Sequence, residues 1–272
     1  MVSFQCEMNK LKHFLEAVIC KGVAEEGEID LLTNECILNV QDGKVEAKTL
    51  DSVGSAYINV VLKNVTILEE GTIPIPLIKQ LKDGNRVGVL DGVESFGPKE
   101  QITITLNKDG AIILQGEKDI WTFETIEETK IEYALDEYIV IFDKFPKGKN
   151  TQGKTFVWKD KAIVDENVLK KIATIAKKVG RSDRAVIITA RLSPEGLFLT
   201  TGTTITYKSQ VTDKVETERT VTSVFQHGIG NVFFNVSKCE IFMGEDTNGF
   251  VHMWVHSEND FLVQDYLIPR QP

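Results

Sequence analysis

Short runs of alternating apolar and polar residues dominate the chain, and they predict strands. Glu28–Asn34, Cys36–Gln41, Lys44–Leu50 and Ser55–Leu62 are rich in β-branched residues, with breaks at Asn34 and at Asp42-Gly43. Gln101–Glu117 is the clearest hairpin: Ile102, Ile104 and Leu106 alternate with polar residues, and Asp109-Gly110 turns the chain back into Ala111–Leu114. Trp121–Glu128 and Lys130–Leu135 continue in the same style.

Helical spacing is rarer. Leu11, Phe14, Leu15 and Val18 predict a first helix over about Asn9 to Val23. A second, brief helical turn is expected at Pro76–Gly84, with Pro76 at its first position. A third follows Asp165 as cap, carries a stripe of Val168, Ile172, Ile175, Ala176 and Val179, and stops at Gly180. A fourth is expected near Val236–Met243.

The order of elements repeats. Both halves run helix, strands, short helix, strands, and Leu106–Gly116 even resembles Leu192–Gly202. The Lys-, Gly- and Asn-rich segment Phe142–Lys154 has a linker's composition. The expected organisation is an α+β chain with two topologically similar, β-rich domains, 1–132 and 155–272, joined by a connector at 133–154.

The chain's 272 residues, 42% hydrophobic and 26% charged, suit a globular protein with a sizeable core. No apolar run is long enough to predict a membrane-spanning helix, and the N-terminal segment lacks the pattern of a signal peptide. Four scattered cysteines without a CxxC pair point to reduced thiols and an intracellular setting, cytoplasmic or nucleoid/nuclear, rather than a disulfide framework or zinc site.

The formal net charge of −9 argues against a uniformly basic nucleic-acid-binding surface. Its arrangement is more informative. Between Asn167 and Ser182 stand Lys170, Lys171, Lys177, Lys178 and Arg181 without a single acid. The first helix adds Lys10, Lys12 and Lys21, the second Lys79 and Lys82, and the fourth Lys238. Any one of these suits ordinary solvation, and Lys177, Lys178 and Arg181 also suit the negative end of a helix dipole. Repetition on equivalent helices suggests more. If both domains put their helices on one side, the basic residues form one positive surface that neutralises phosphates without reading sequence.

These residues resemble the DNA sliding clamps of the proliferating-cell-nuclear-antigen type. Leu11–Val18 resembles that family's first helix, and Gly43–Leu62, with Leu50-Asp51-Ser52, its Met-Asp-Ser segment. Gln264–Pro272 resembles its closing Tyr-Leu-Ala-Pro strand, with Ile268 in place of Ala. The resemblance implies the clamp fold, with three chains forming a six-domain ring whose helices line a central hole. The homotrimer encircles duplex DNA and tethers a polymerase and other replication or repair proteins, and a clamp loader opens it. It needs no cofactor and no enzymatic activity. The DNA-facing residues are then Lys10, Lys12, Lys21, Lys79, Lys82, Lys170, Lys171, Lys177, Lys178, Arg181 and Lys238. Leu50, Leu267, Ile268 and Pro269 match the floor of the family's partner pocket, with part of Tyr138–Phe145 as its connector. Residues 244–272 are short for the family's last strands, and the connector is longer and more basic, as suits a viral or otherwise divergent member.

One motif points elsewhere. Gly148–Thr155 spells the phosphate-binding pattern G-x-x-x-x-G-K-T. A working loop of this kind needs a strand running into its first glycine and a helix starting at its Lys-Thr. Here Asp143–Lys147 intervenes upstream, Thr155–Val164 reads as a strand, and the sole candidate for a magnesium-binding acid after an apolar run, Asp91, lies in the other half. A nucleotide-binding protein is therefore the alternative from another class. A subunit of a hetero-oligomeric checkpoint clamp is the alternative within the fold, and a single-strand binder is a third. His252 and His256 share a strand face without a third metal ligand, and nothing orients His13 toward Cys20. Trp121, Trp158 and Trp254 are expected to pack rather than stack on bases.

Overall fold

The computed structural model describes residues 1–20, 35–50, 56–77, 79–80, 86–125, 157–183, 187–202, 205–226, 229–236, 238–245, 249–268 and 270. The first half runs β1 (Val2–Glu7), α1 (Met8–Ile19), β2 (Glu35–Gln41), β3 (Lys44–Leu50), β4 (Tyr57–Lys63), β5 (Thr66–Glu69) and β6 (Gly71–Pro76). A small ribbon, β7 (Lys79–Gln80) with β8 (Arg86–Val87), leads to α2 (Val89–Glu94), β9 (Gln101–Leu106), β10 (Ala111–Gln115) and β11 (Ile120–Glu124).

The second half repeats the order without the ribbon. It comprises β12 (Val157–Val164), α3 (Glu166–Asp183), β13 (Ile187–Ser193), β14 (Gly196–Thr201), β15 (Tyr207–Thr212), β16 (Val215–Glu216) and β17 (Val221–Gln226). It closes with α4 (Ile229–Asn235), β18 (Cys239–Glu245), β19 (Val251–Glu258) and β20 (Leu262–Ile268).

The strand order repeats as well. A five-stranded sheet, β11-β10-β9-β1-β5, has its counterpart in β20-β19-β18-β12-β16, and β4-β3-β2-β6 in β15-β14-β13-β17. The second half's five strands join the first half's four into one nine-stranded sheet through the antiparallel pair β20–β4, Leu262 opposite Leu62 to Leu267 opposite Tyr57. Lys63 N–H donating to Phe261 O at 2.8 Å and Asn64 Nδ2 to Asp260 O at 3.1 Å extend that seam.

Local chemistry explains the elements. The strands alternate buried and half-exposed positions, as β2 and β9 do, so one face feeds the core. Asp42 and Gly43, at φ 53° and 72°, make the tight turn between β2 and β3. The free N–H groups at the start of α1 find carbonyls: Met8 N donates to Glu100 O at 2.8 Å and Asn9 N to Pro98 O at 3.2 Å. Cys20, left-handed at φ 48°, ends α1, so among described residues the helix stops short of the expected Val23.

Three helical expectations need correction. Pro76 closes β6, and Lys79 and Gln80 pair with Val87 and Arg86 as a ribbon; Lys82 lies outside the described residues. The short helix of this half is α2 instead, where Asp91 caps the start by accepting from Gly88 N at 2.7 Å. In the second half the short helix is Ile229–Asn235, whose Ile229, Val232 and Phe233 are buried, and Cys239–Glu245 is a strand. Helix α3 continues past Gly180 to Asp183, and its buried residues are Leu169, Ile172, Ala173 and Ala176, with Val168, Ile175 and Val179 only half-buried.

Candidate functional site

The four helices form a row. Helix α2 packs on α1, α1 meets α4 where Asn231 Nδ2 donates to Cys20 O at 3.2 Å, and α4 packs on α3. Beneath the row, α1 rests on β4, β3 and β20, tied by the Tyr266 hydroxyl donating to Ala17 O at 3.1 Å. The opposite face of the nine-stranded sheet carries no helix among the described residues.

The expected basic residues distribute unevenly over this row. Lys171 and Lys178 are exposed on α3, and Lys170 and Lys177 are half-buried beside them, with the Lys170 ammonium 5.9 Å from the centre of the Phe234 ring. Arg181 belongs to the last turn of α3. On α1, Lys10 is half-buried, and Lys12 is held 3.0 Å from Glu94 of α2, a hydrogen bond that raises its pKa. That pairing cancels much of its attraction for a phosphate. Lys238 is exposed in the bend between α4 and β18 rather than on a helix, and Lys79 is in the ribbon. Lys21 lies outside the described residues. Helix α3 is thus the main basic element, and α2 brings no cation of its own.

On the far face of the nine-stranded sheet lies a compact aromatic cluster. Tyr57, Trp254 and Leu267 are its buried members, with Trp158 and Phe242 packed against them. Phe242 stacks on Trp254 at 4.3 Å between ring centres, and Trp158 meets the same ring edge-on at 6.0 Å. Trp254 Nε1 donates to Asp265 Oδ1 at 3.0 Å, and His256 Nδ1 lies 2.7 Å from that oxygen. The contact with Asp265 raises the pKa of His256. Nearby, the Arg270 guanidinium lies 4.9 Å from the centre of the exposed Phe250 ring.

The expected pocket floor is split. Leu267 belongs to the aromatic cluster, whereas Ile268, the next residue on the strand, points the other way into the main core. They cannot line one pocket together. Leu50 ends β3, and Pro269 and the connector at 133–154 lie outside the described residues. The aromatic cluster was missed in the sequence because its members come from five strands, β4, β12, β18, β19 and β20, that only the sheet order brings together.

The competing chemistry finds little support. Gly148–Thr155 lies outside the described residues, but the segment after it is strand β12, and the next helix starts at Glu166. A phosphate-binding loop requires a helix at its Lys-Thr. Among the described residues no cluster of His, Cys, Asp or Glu could hold a metal. His252 Nδ1 accepts from Arg270 N at 3.2 Å and His256 faces Asp265, so both histidines are engaged. Cys20 is buried and His13 exposed. Trp121, exposed, stacks on Phe123 and donates to Ser95 Oγ at 2.8 Å. No described helix is long and apolar enough to cross a membrane.

No described protein family and no curated relative matches the sequence. The fold does have solved counterparts. The chain superimposes with a TM-score of 0.68 and 14% identity on A. fulgidus PCNA bound to the C-terminal region of FEN-1, covering 100% of this chain and 99% of that one. The PCNA2-PCNA3 complex from Sulfolobus tokodaii matches at 0.68 with 11% identity over 99% of each chain. A protein from Eubacterium rectale assigned as a DNA polymerase III beta subunit matches at 0.68 with 12% identity over 99% of this chain and 65% of its own. The chain has the sliding-clamp fold, α+β and duplicated.

Proposed function

We propose that this chain is a non-enzymatic DNA sliding clamp, active inside the cell, that closes into a homotrimeric ring around duplex DNA. Its units are 1–132 and 155–272, with 133–154 as connector. The row of helices faces the duplex, and the exposed lysines of α3 and Lys238 make weak, sequence-blind phosphate contacts that permit sliding.

The observation that carries this reading is the repeat of sheet edges. Strand β20 pairs with β4 within the chain. Their counterparts in the repeat, β11 and β15, end their sheets unpaired among the described residues. Joining β11 of one copy to β15 of the next by the same pairing makes another nine-stranded sheet, and repetition closes a ring in which neither of these two edges is left open. Exposed apolar residues suit that junction: Ile120 is 65% exposed on β11, and Ile205, just before β15, is 61% exposed. Other edges are blunted, β5 and β16 by shortness and β6 by Pro74 and Pro76.

The far face of the sheet, with its aromatic cluster around Trp254, serves as the docking side for a polymerase, other replication proteins and a loader. Tethering there raises a client's effective concentration at the template. The test uses a linear duplex whose biotinylated ends are capped with streptavidin after the protein is added. Capped duplex should retain the protein through gel filtration and release it on restriction cleavage. Equal retention on capped and uncapped duplex removes the topological reading, and native mass spectrometry distinguishes a homotrimer from a subunit that requires different chains.

A further inference from the structure

A cavity of about 440 Å³ opens between α1, α4 and the turn that joins β19 to β20. Its lining includes Glu16 of α1, Lys170 of α3, Phe234 of α4, Asn259 and Phe261 of the turn, and Gln264 of β20. That volume lies within the usual range of small-ligand pockets, about 300–1,000 Å³.

Gln264 is the informative residue. It is only 5% exposed. Its Nε2 donates to Asn235 O at 3.1 Å and to the Tyr266 hydroxyl at 3.2 Å, which fixes the orientation of the amide. Its Oε1 has no hydrogen-bond partner among the described residues. The oxygen is open to the cavity, and an unused acceptor on a cavity wall is a group to which a ligand's donor can bind. Asn259 adds the complementary group at the rim. Its Oδ1 is used by the N–H groups of Phe261 at 3.0 Å and Leu262 at 2.8 Å, which leaves its Nδ2 as a donor. Phe234 and Phe261 supply aromatic surface, and the His13 ring stands 6.1 Å from that of Phe261.

We propose that this cavity accepts a single unstacked nucleobase, whose N–H edge donates to Gln264 Oε1 while its neighbouring acceptor receives Asn259 Nδ2. The rings of Phe234 and Phe261 contact its faces, as base-binding aromatic residues do in single-strand binders. The inference rests on the helix row being the face turned toward DNA, since the cavity opens between two members of that row. A base could arrive on a free nucleoside or on a single strand; the chemistry is the same.

Saturation-transfer NMR on the full chain tests it with thymidine and guanosine in one arm and a short oligothymidylate in the other. Transfer to base protons above sugar protons is expected in at least one arm, and which arm responds identifies the source. Gln264→Leu should weaken binding at least tenfold. Because that change also removes the donors to Asn235 and Tyr266, Phe261→Ala, on a half-exposed turn, serves as the second variant with the same expected loss. No transfer in either arm, or transfer unchanged in both variants, overturns the proposal. Nucleoside binding that persists when capped duplex fails to retain the protein would leave the cavity standing and remove only the ring.

Discussion

The hydroxyl of Tyr266, on the last strand, donates to the main-chain carbonyl of Ala17, on the first helix, at 3.1 Å. Tyr266 is fully buried, and burial drives its pKa well above the ordinary tyrosine value. That bond ties the first helix to the sheet beneath it.

Removing only that hydroxyl, Tyr266→Phe, should cost about 1 kcal/mol, because Ala17 O keeps a second donor in Cys20 N at 3.3 Å. Urea unfolding should show a lower midpoint at unchanged slope. A midpoint equal to that of the parent protein would mean that the hydrogen bond carries no net stability.

The contact between His256 and Asp265 predicts a pH dependence with a definite sign. The folded-state pKa of His256 is raised above 6.5, chiefly by its hydrogen bond to Asp265. The imidazolium's contribution is then complete below the unfolded pKa and disappears as pH rises through the higher folded value. Stability should decline over that window, and Asp265→Asn should flatten the decline. An NMR titration placing the His256 midpoint at or below 6.5 contradicts the assignment.

Charge introduced on the open edges should block assembly without unfolding the chain. Ile120→Glu and Ile205→Glu change side chains that are 65% and 61% exposed, so circular dichroism should not change. Light scattering should find single copies in both variants. Persistence of the parent assembly would place the junction elsewhere.

For DNA, the combined change of Lys177, Lys178 and Arg181 to Ala should lower the slope of log K against log salt by about 2–3, at roughly 0.9 for each phosphate no longer neutralised. Lys12→Ala should change it less, since Glu94 already occupies that ammonium at 3.0 Å. Equal effects from both variants would show that α3 is not the main basic element on the DNA side.

The cysteines offer a test of packing. All four are buried, and burial pushes the thiols of Cys6 and Cys239 up to about 12. Iodoacetamide at mildly alkaline pH should leave the native protein unmodified and label all of them once urea unfolds it. Rapid native labelling at either residue would mean that its site opens locally.

Much of this architecture is legible in the sequence where local and tertiary preferences agree. The hairpin through Asp109-Gly110 and the strands flanking Asp42-Gly43 form as their alternation predicts. The failures arise where tertiary packing overrides propensity. Val89–Glu94 is a poor helical sequence because of Gly92, yet a Cβ there would meet Phe123 Cζ at 2.8 Å, so the glycine admits close approach of β11. Ile229–Asn235 has the β-branched and aromatic content of a strand but buries Ile229, Val232 and Phe233 at helical spacing. In α3 two overlapping stripes satisfy the 3.6-residue period, and packing on α4 and β14 selects the one containing Leu169 and Ala173. Of the candidate site, the lysines of α3 were readable from charge alone. Gln264 and the aromatic cluster were not, because their neighbours are distant in sequence.

The seam between β20 and β4 also sets a schedule for biosynthesis. Leu262 follows its partner Leu62 by 200 residues. At a ribosomal rate of about 5–20 residues per second, the edge of β4 waits roughly 10–40 s before its partner strand has been translated. During that interval the stretch Tyr57–Lys63, which pairs with β3 on one side, has its other edge open on a nascent chain. On a polysome, where many copies are in the same state, that edge is the surface a chaperone would have to shield.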